Sequence, residues 1–266
     1  MNNKLLNEQE ISWLQTHDVG TIKTVKQFDN ALTNDVFLIT NDENNAFVFK
    51  RLNQQARSEQ DRKEEFLVQQ LASQQQLTPQ VLAHNKYYKL QQYIQGELIP
   101  EDKTNMSELL ATQFHRIHKL PAEGAPKQRL VFELQRLKKQ LTVNTDEIRF
   151  ATMLALASEL DQRSGCDTLC HGDLSLNNIL QGDDKQLYIL DWEYAVIATP
   201  AYDLAFCNCI NQFSVDQSQA LIAAYYAQTM GVKQSCLDSL QKECDLYLKL
   251  FIYINELWAL CFIENE

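Results

Sequence analysis

The sequence predicts an α+β fold in two lobes. The first, residues 1–95, is small and strand-rich with one helix; the second, residues 96–266, is larger and mainly helical. Three observations predict this. Short alternating apolar runs fill the chain before residue 95. Apolar residues at helical spacing dominate the chain after it. One island of strand character, Thr168–Tyr194, interrupts the helical half.

The elements come in this order. Gly20–Val25, Asp35–Thr40 and Ala46–Lys50 have strand character, and Asn41–Asn45 supplies turn residues between the last two. Residues 56–76 switch to helical period, with Phe66, Leu67, Leu71 and Ala72 about one turn apart, and Thr78-Pro79 ends the run. Strand character returns at Val81–Ala83 and Tyr87–Ile94, and Gly96 breaks it, which places the lobe boundary at 93–97. Asn105-x-x-Glu108 predicts a cap before a helix whose apolar face is Met106, Leu109, Leu110, Phe114 and Ile117. Further helices fit 130–141, 146–162, 201–212, 216–229 and 235–263.

Composition excludes several classes. The chain has 7 glycines in 266 residues, and no G-x-G or G-x-x-x-x-G-K can be written from them. That removes the dinucleotide fingerprint and the Walker phosphate loop. A net charge of −11 argues against nucleic acid as a partner, because phosphate backbones are bound by clustered Lys and Arg. The N-terminal stretch lacks an apolar signal core. Tyr247–Ile263 is apolar but interrupted by Lys249, Asn255 and Glu256, which predicts a buried helix and no membrane partner. Seven cysteines without a C-x-x-C pair predict reduced thiols in a cytoplasmic protein.

The strand island carries the chemistry. It reads Leu169-Cys-His171-Gly172-Asp173-Leu174-Ser-Leu-Asn177-Asn178-Ile-Leu180, then a turn, then Leu190-Asp191-Trp192-Glu193-Tyr194. His, Asp and Asn stand at the H-x-D-L-x-x-x-N spacing of a kinase catalytic loop, and a second Asp comes 13 residues after the Asn. Phosphoryl transfer needs a carboxylate to orient the incoming hydroxyl and oxygen ligands to hold Mg²⁺ on the phosphates.

HGDLSLNNIL followed by ILDWEYA resembles the aminoglycoside phosphotransferase and choline kinase superfamily. Leu32-Thr33-Asn34, Asp191–Ala195 and Thr199–Ala205 are similar to its bacterial choline/ethanolamine kinase and thiamine kinase branch. The resemblance spans residues from about 25 to the C-terminus and implies a protein-kinase-like two-lobed fold using ATP and Mg²⁺. It implies that Asp173 is the catalytic base and that Asn178 and Asp191 are metal ligands. It further implies that Lys50, paired with Glu65, grips the phosphates, with Glu64 as the rival partner. Asn34, Tyr93 and Ile94 fall at implied nucleotide contacts, and His171 and Asp203 at support positions. Glu193, Tyr194 and Trp258 are candidates for a cationic acceptor, Glu193 alternatively for the metal's shell, with Trp192 and Tyr202 as further aromatic walls.

The chain departs from the family where a glycine-rich turn is usual: it has Phe28-Asp29-Asn30-Ala31-Leu32-Thr33-Asn34 instead. Gly172 in place of arginine, and Asp-Trp-Glu in place of Asp-Phe-Gly, exclude a protein kinase. The expected activity is ATP-dependent phosphorylation of a small cationic alcohol, choline or ethanolamine first and thiamine second. The competing readings are an antibiotic phosphotransferase and a nucleotide-binding pseudokinase module.

Overall fold

The computed structural model describes residues 5–28, 34–54, 58–100, 105–141, 143, 145–163, 167–229 and 234–263. Contacts divide them into two compact units: residues 1–98 with 179–193, and residues 99–178 with 194–266.

In the first unit, α1 (Glu8–Gln15) forms where Asn7 and Glu10 cap each other reciprocally. The sequence reading assigned no element there; Asn7-x-x-Glu10 is the signal that marks it. β1 (Ile22–Gln27), β2 (Asp35–Asn41) and β3 (Ala46–Arg51) come next as an antiparallel meander. Their second turn is built as its composition predicts: Asn41 Oδ1 accepts from the Asn45 N–H at 2.8 Å, and Asn44 takes φ 65°. α2 (Glu59–Gln74) opens on a reciprocal cap between Ser58 and Asp61. β4 (Val81–His84) and β5 (Tyr88–Gln92) complete a five-stranded sheet in the order β1-β2-β3-β5-β4.

The two faces of this sheet differ. Phe37, Phe49 and Leu90 lie side by side across β2, β3 and β5 and are buried with Ile39 and Leu14. Trp13 of α1 joins them through ring contacts to Phe49 and Tyr88. Residues of the opposite parity point to the other face. There Lys50 on β3 sits directly across from Lys89 on β5, and the side chains that meet Lys89 come from α2.

β6 (Gly96–Leu98) shows in the sequence only as a break at Gly96. It pairs with β8 (Ile179–Gly182), which pairs with β9 (Leu187–Ile189). Gly96 is required there, because a Cβ would stand 2.2 Å from the Gln181 carbonyl oxygen. This pairing is why 179–193 groups with residues 1–98, whereas the sequence division kept all of 96–266 together.

The second unit contains α3 (Met106–Ile117), α4 (Leu130–Gln140), α5 (Glu147–Asp161), β7 (Thr168–Cys170), β10 (Val196–Ala198), α6 (Pro200–Ile210), α7 (Val215–Thr229) and α8 (Gln234–Ile263). α3 packs on α7, and α6 on α8. Leu110, Phe114 and Ile117 are fully buried, so Phe114→Ala costs about 3–5 kcal/mol, the usual penalty of an emptied aromatic site. The predicted cap on α3 does not form: Asn105 adopts the left-handed conformation and its side chain makes no cap hydrogen bond. α4 is capped instead from a distance, since Asp161 accepts from the Leu130 and Val131 N–H groups at 3.0 Å each. Among the described residues, no helix is long and apolar enough to cross a membrane.

Candidate active site

The loop between β7 and β8 is built around one carboxylate. Asp203, in the first turn of α6, accepts from the backbone N–H of His171 at 2.7 Å and of Gly172 at 2.8 Å. Its Oδ2 also lies 3.1 Å from His118 Nε2, and His118 Nδ1 lies 2.7 Å from the Tyr225 hydroxyl. Gly172 has φ +77°, and a Cβ there would stand 2.1 Å from the Tyr194 carbonyl oxygen, so no other residue fits without distortion. His171 is fully buried, and its Nδ1 accepts from the Asp173 N–H at 3.2 Å. Asn211 adds a second brace: its Oδ1 accepts from Leu176 N–H at 2.9 Å, and its Nδ2 donates to the Leu174 carbonyl at 3.3 Å.

That bracing leaves Asp173 and Asn178 half-buried. Asn178 Nδ2 donates to the Asp173 backbone carbonyl at 2.8 Å and to Asp173 Oδ2 at 3.2 Å. The sequence reading named Asp203 and missed His118 and Asn211. Asn211 had a signal, two helical turns after Asp203 on one face; His118, on a distant helix, had none.

The first unit holds a second polar cluster. Asp191 has φ +62°, a left-handed conformation that Asp tolerates better than most residues. Its side chain is 36% exposed, and its Oδ1 lies 3.1 Å from Lys50 Nζ. Burial, the largest influence on Lys50, disfavours its charge; Asp191, Glu65 and Glu193 together outweigh that and hold it above the ordinary lysine range.

Glu65 does not pair with Lys50 as expected. Its Oε1 accepts from Lys89 Nζ at 2.7 Å and its Oε2 from Arg62 Nη1 at 2.9 Å. The cause is placement: Lys89 stands directly across from Lys50, on β5, and takes the carboxylate first. Burial works against the Glu65 charge, but Lys89, then Arg62 and Lys50, hold its pKa down at about 2. Glu64 is occupied elsewhere, accepting from Gln60 Nε2 at 2.7 Å. Arg62 extends the cluster to Glu193 Oε2 at 3.5 Å and to Asn34 Oδ1 at 3.2 Å. Asn34 Oδ1 also accepts from the Asn53 N–H at 3.0 Å. Glu193 and Asn34 are therefore buried parts of this cluster.

The remaining predicted residues divide. Tyr93 and Ile94 are half-buried on the segment after β5. Tyr194 is 45% exposed and Trp258, on α8, is 42% exposed. Trp192 is fully buried and donates from Nε1 to the Ile189 carbonyl at 3.2 Å, which makes it core and removes it as an aromatic wall. Tyr202 packs edge-on against Tyr247 and Phe251. Residues 29–33 of the glycine-free turn, including Leu32-Thr33, lie outside the described residues.

A profile of the phosphotransferase enzyme family (APH) matches residues 24–234. The chain belongs to that family. The phosphotransferase is also similar in fold to several solved structures. A choline kinase from Streptococcus pneumoniae superposes with TM-score 0.68 at 18% identity, covering 97% of this chain and 91% of that one. A Plasmodium vivax ethanolamine kinase gives 0.70 at 14% identity, covering 97% and 85%. A macrolide 2′-phosphotransferase from Brachybacterium faecium gives 0.63 at 14% identity, covering 96% and 92%.

Each unit of the phosphotransferase carries an oxygen donor of the kind a hard divalent cation takes. Asp191 offers a carboxylate, and with Nδ2 of Asn178 committed to Asp173, that side chain offers its amide oxygen. Both are oxygen ligands of the kind Mg²⁺ takes.

Proposed function

We propose that this phosphotransferase transfers phosphate from ATP to the hydroxyl of a small cationic alcohol, choline or ethanolamine first and thiamine second. The observation that carries the reading is the His171–Asn178 loop, where a half-buried carboxylate, Asp173, is fixed by Asn178 beside it. Asp173 orients the acceptor hydroxyl and takes its proton. Asn178 and Asp191 are the metal ligands, and bound Mg²⁺ supplies neutralisation of the phosphate charge. Lys50 takes the phosphates, and the Tyr93–Ile94 segment takes the nucleotide base. Asn34 and Glu65 act through the buried frame around Arg62, and His171 and Asp203 through the loop they hold.

For the acceptor, exposed aromatics on Tyr194 and Trp258 suit a cation. Glu193, ion-paired with Arg62, is given no contact with the acceptor. The net charge of −11 and the choline and ethanolamine kinases among the structural neighbours support the same acceptor class. An ADP-release assay across choline, ethanolamine, thiamine, homoserine and aminoglycosides tests it. Choline, ethanolamine or thiamine should accelerate release; acceleration by homoserine alone would refute the cationic acceptor.

The macrolide phosphotransferases among the neighbours favour a second reading, an antibiotic acceptor. Expression in a macrolide-sensitive host separates the two, because only the second confers resistance.

A further inference from the structure

Among the described residues, one set of metal-ligating side chains closes to coordination distance. It lies in the second unit, beside the loop that Asp203 holds. His118 at the C-terminal end of α3, Cys170 at the end of β7 and Asp203 of α6 each offer one ligand atom, and the three atoms lie within 4.8 Å of one another. The residues come from three distant segments, so no spacing in the sequence could show them.

The chemistry of the set is particular. Imidazole nitrogen, thiolate sulfur and carboxylate oxygen together are ligands that Zn²⁺ takes, whereas Mg²⁺ takes oxygen. All three side chains are buried. The outer contacts that orient zinc ligands are also in place. His118 Nδ1 lies 2.7 Å from the Tyr225 hydroxyl, which fixes the ring. Asp203 Oδ1 accepts from the Gly172 N–H at 2.8 Å, and Oδ2 lies 3.1 Å from His118 Nε2. A tetrahedral zinc holds such atoms about 3.3–3.6 Å apart, so this pair need open by only about half an ångström or less. The Thr199 carbonyl oxygen, 3.4 Å from Cys170 Sγ, supplies a fourth ligand.

We propose that His118, Cys170 and Asp203 form a binding site for Zn²⁺. The ion enters between His118 Nε2 and Asp203 Oδ2 and bonds to the Cys170 sulfur. The thiol proton leaves to solvent, and the imidazole proton resides on Nδ1, donated to the Tyr225 hydroxyl. No electron is transferred. Because Asp203 also accepts from the His171 and Gly172 N–H groups, a bound ion stiffens the loop that carries Asp173.

The test uses Co²⁺ as a spectroscopic stand-in on the full-length protein. It is added to the native protein and, separately, during refolding from urea, so slow entry to a buried site does not hide binding. One Co²⁺ per chain should give a sulfur-to-metal charge-transfer band that Zn²⁺ displaces. Cys170→Ser should lose the band and bind about tenfold or more weakly, since even outer-shell losses reach that. Cys236→Ser, which removes an exposed thiol, should keep both band and affinity. At a hundred times its dissociation constant, Zn²⁺ should raise the Tm of wild type by about 5–10 °C, and Cys170→Ser should lose most of that shift. No charge-transfer band in wild type by either route overturns the proposal. A band or a Zn²⁺ shift that survives Cys170→Ser overturns it equally. Should Cys170→Ser not fold, Cys170→Ala takes its place with the same expectation.

Discussion

The two units hold their key carboxylates by different physics. In the second unit, Asp203 is fixed by two backbone N–H groups and one histidine. Backbone donors cannot change partners, and Gly172 makes their approach possible. In the first unit, Glu65 is fixed by the side-chain ends of Lys89 and Arg62, with Lys50 on the strand next to Lys89. Side-chain cations are interchangeable partners, so which lysine wins depends on register and depth. A backbone-held site is therefore legible from a short motif, and a charge-held site is not.

In the first unit a large effect is expected at Asp191. Asp191→Asn removes the carboxylate proposed to hold metal and the partner of Lys50; turnover should fall on the order of a hundredfold or more. Steady-state ADP release measures it.

Next comes the backbone-held site. Gly172→Ala forces a Cβ to 2.1 Å from the Tyr194 oxygen at φ +77°. It should lower stability by about 3 kcal/mol or more in urea melts. A smaller loss would mean that the loop relaxes and that the two units differ less than their hydrogen bonding indicates.

A pH series sharpens the other half. Glu65 is held at about 2, below its ordinary 4.5. Its contribution is therefore complete above pH 4.5 and is lost as pH falls through 2. The stability gap between wild type and Glu65→Gln should stay constant from pH 5 to 8 and narrow below about 4.5. Melting curves over that range check it.

The smallest effect belongs to the acceptor. Trp258→Ala should raise KM for the proposed cationic acceptor a few-fold, as exposed cation–π contacts contribute about 0.5–1 kcal/mol, with KM for ATP unchanged.

Sequence legibility splits along the same divide. Strand β2 and helices α3 and α4 were readable because burial imposes a period on their apolar residues. α1 and β6 were missed: one shows itself only as a capping pair, and the other is 3 residues paired to a segment far along the chain. The His171–Asn178 loop was readable because its spacing is set by backbone geometry. The Lys89–Glu65 pair was not, because strand register decides it. Trp192, too, reads from sequence as an aromatic wall until burial shows it to be core.

The most direct test of the account is Asp173→Ala, followed by ATP calorimetry and acceptor-dependent ADP release on one preparation. ATP affinity should stay within about threefold of wild type and ADP release should fall by about 10²–10⁴. Near-normal release in that variant would contradict it.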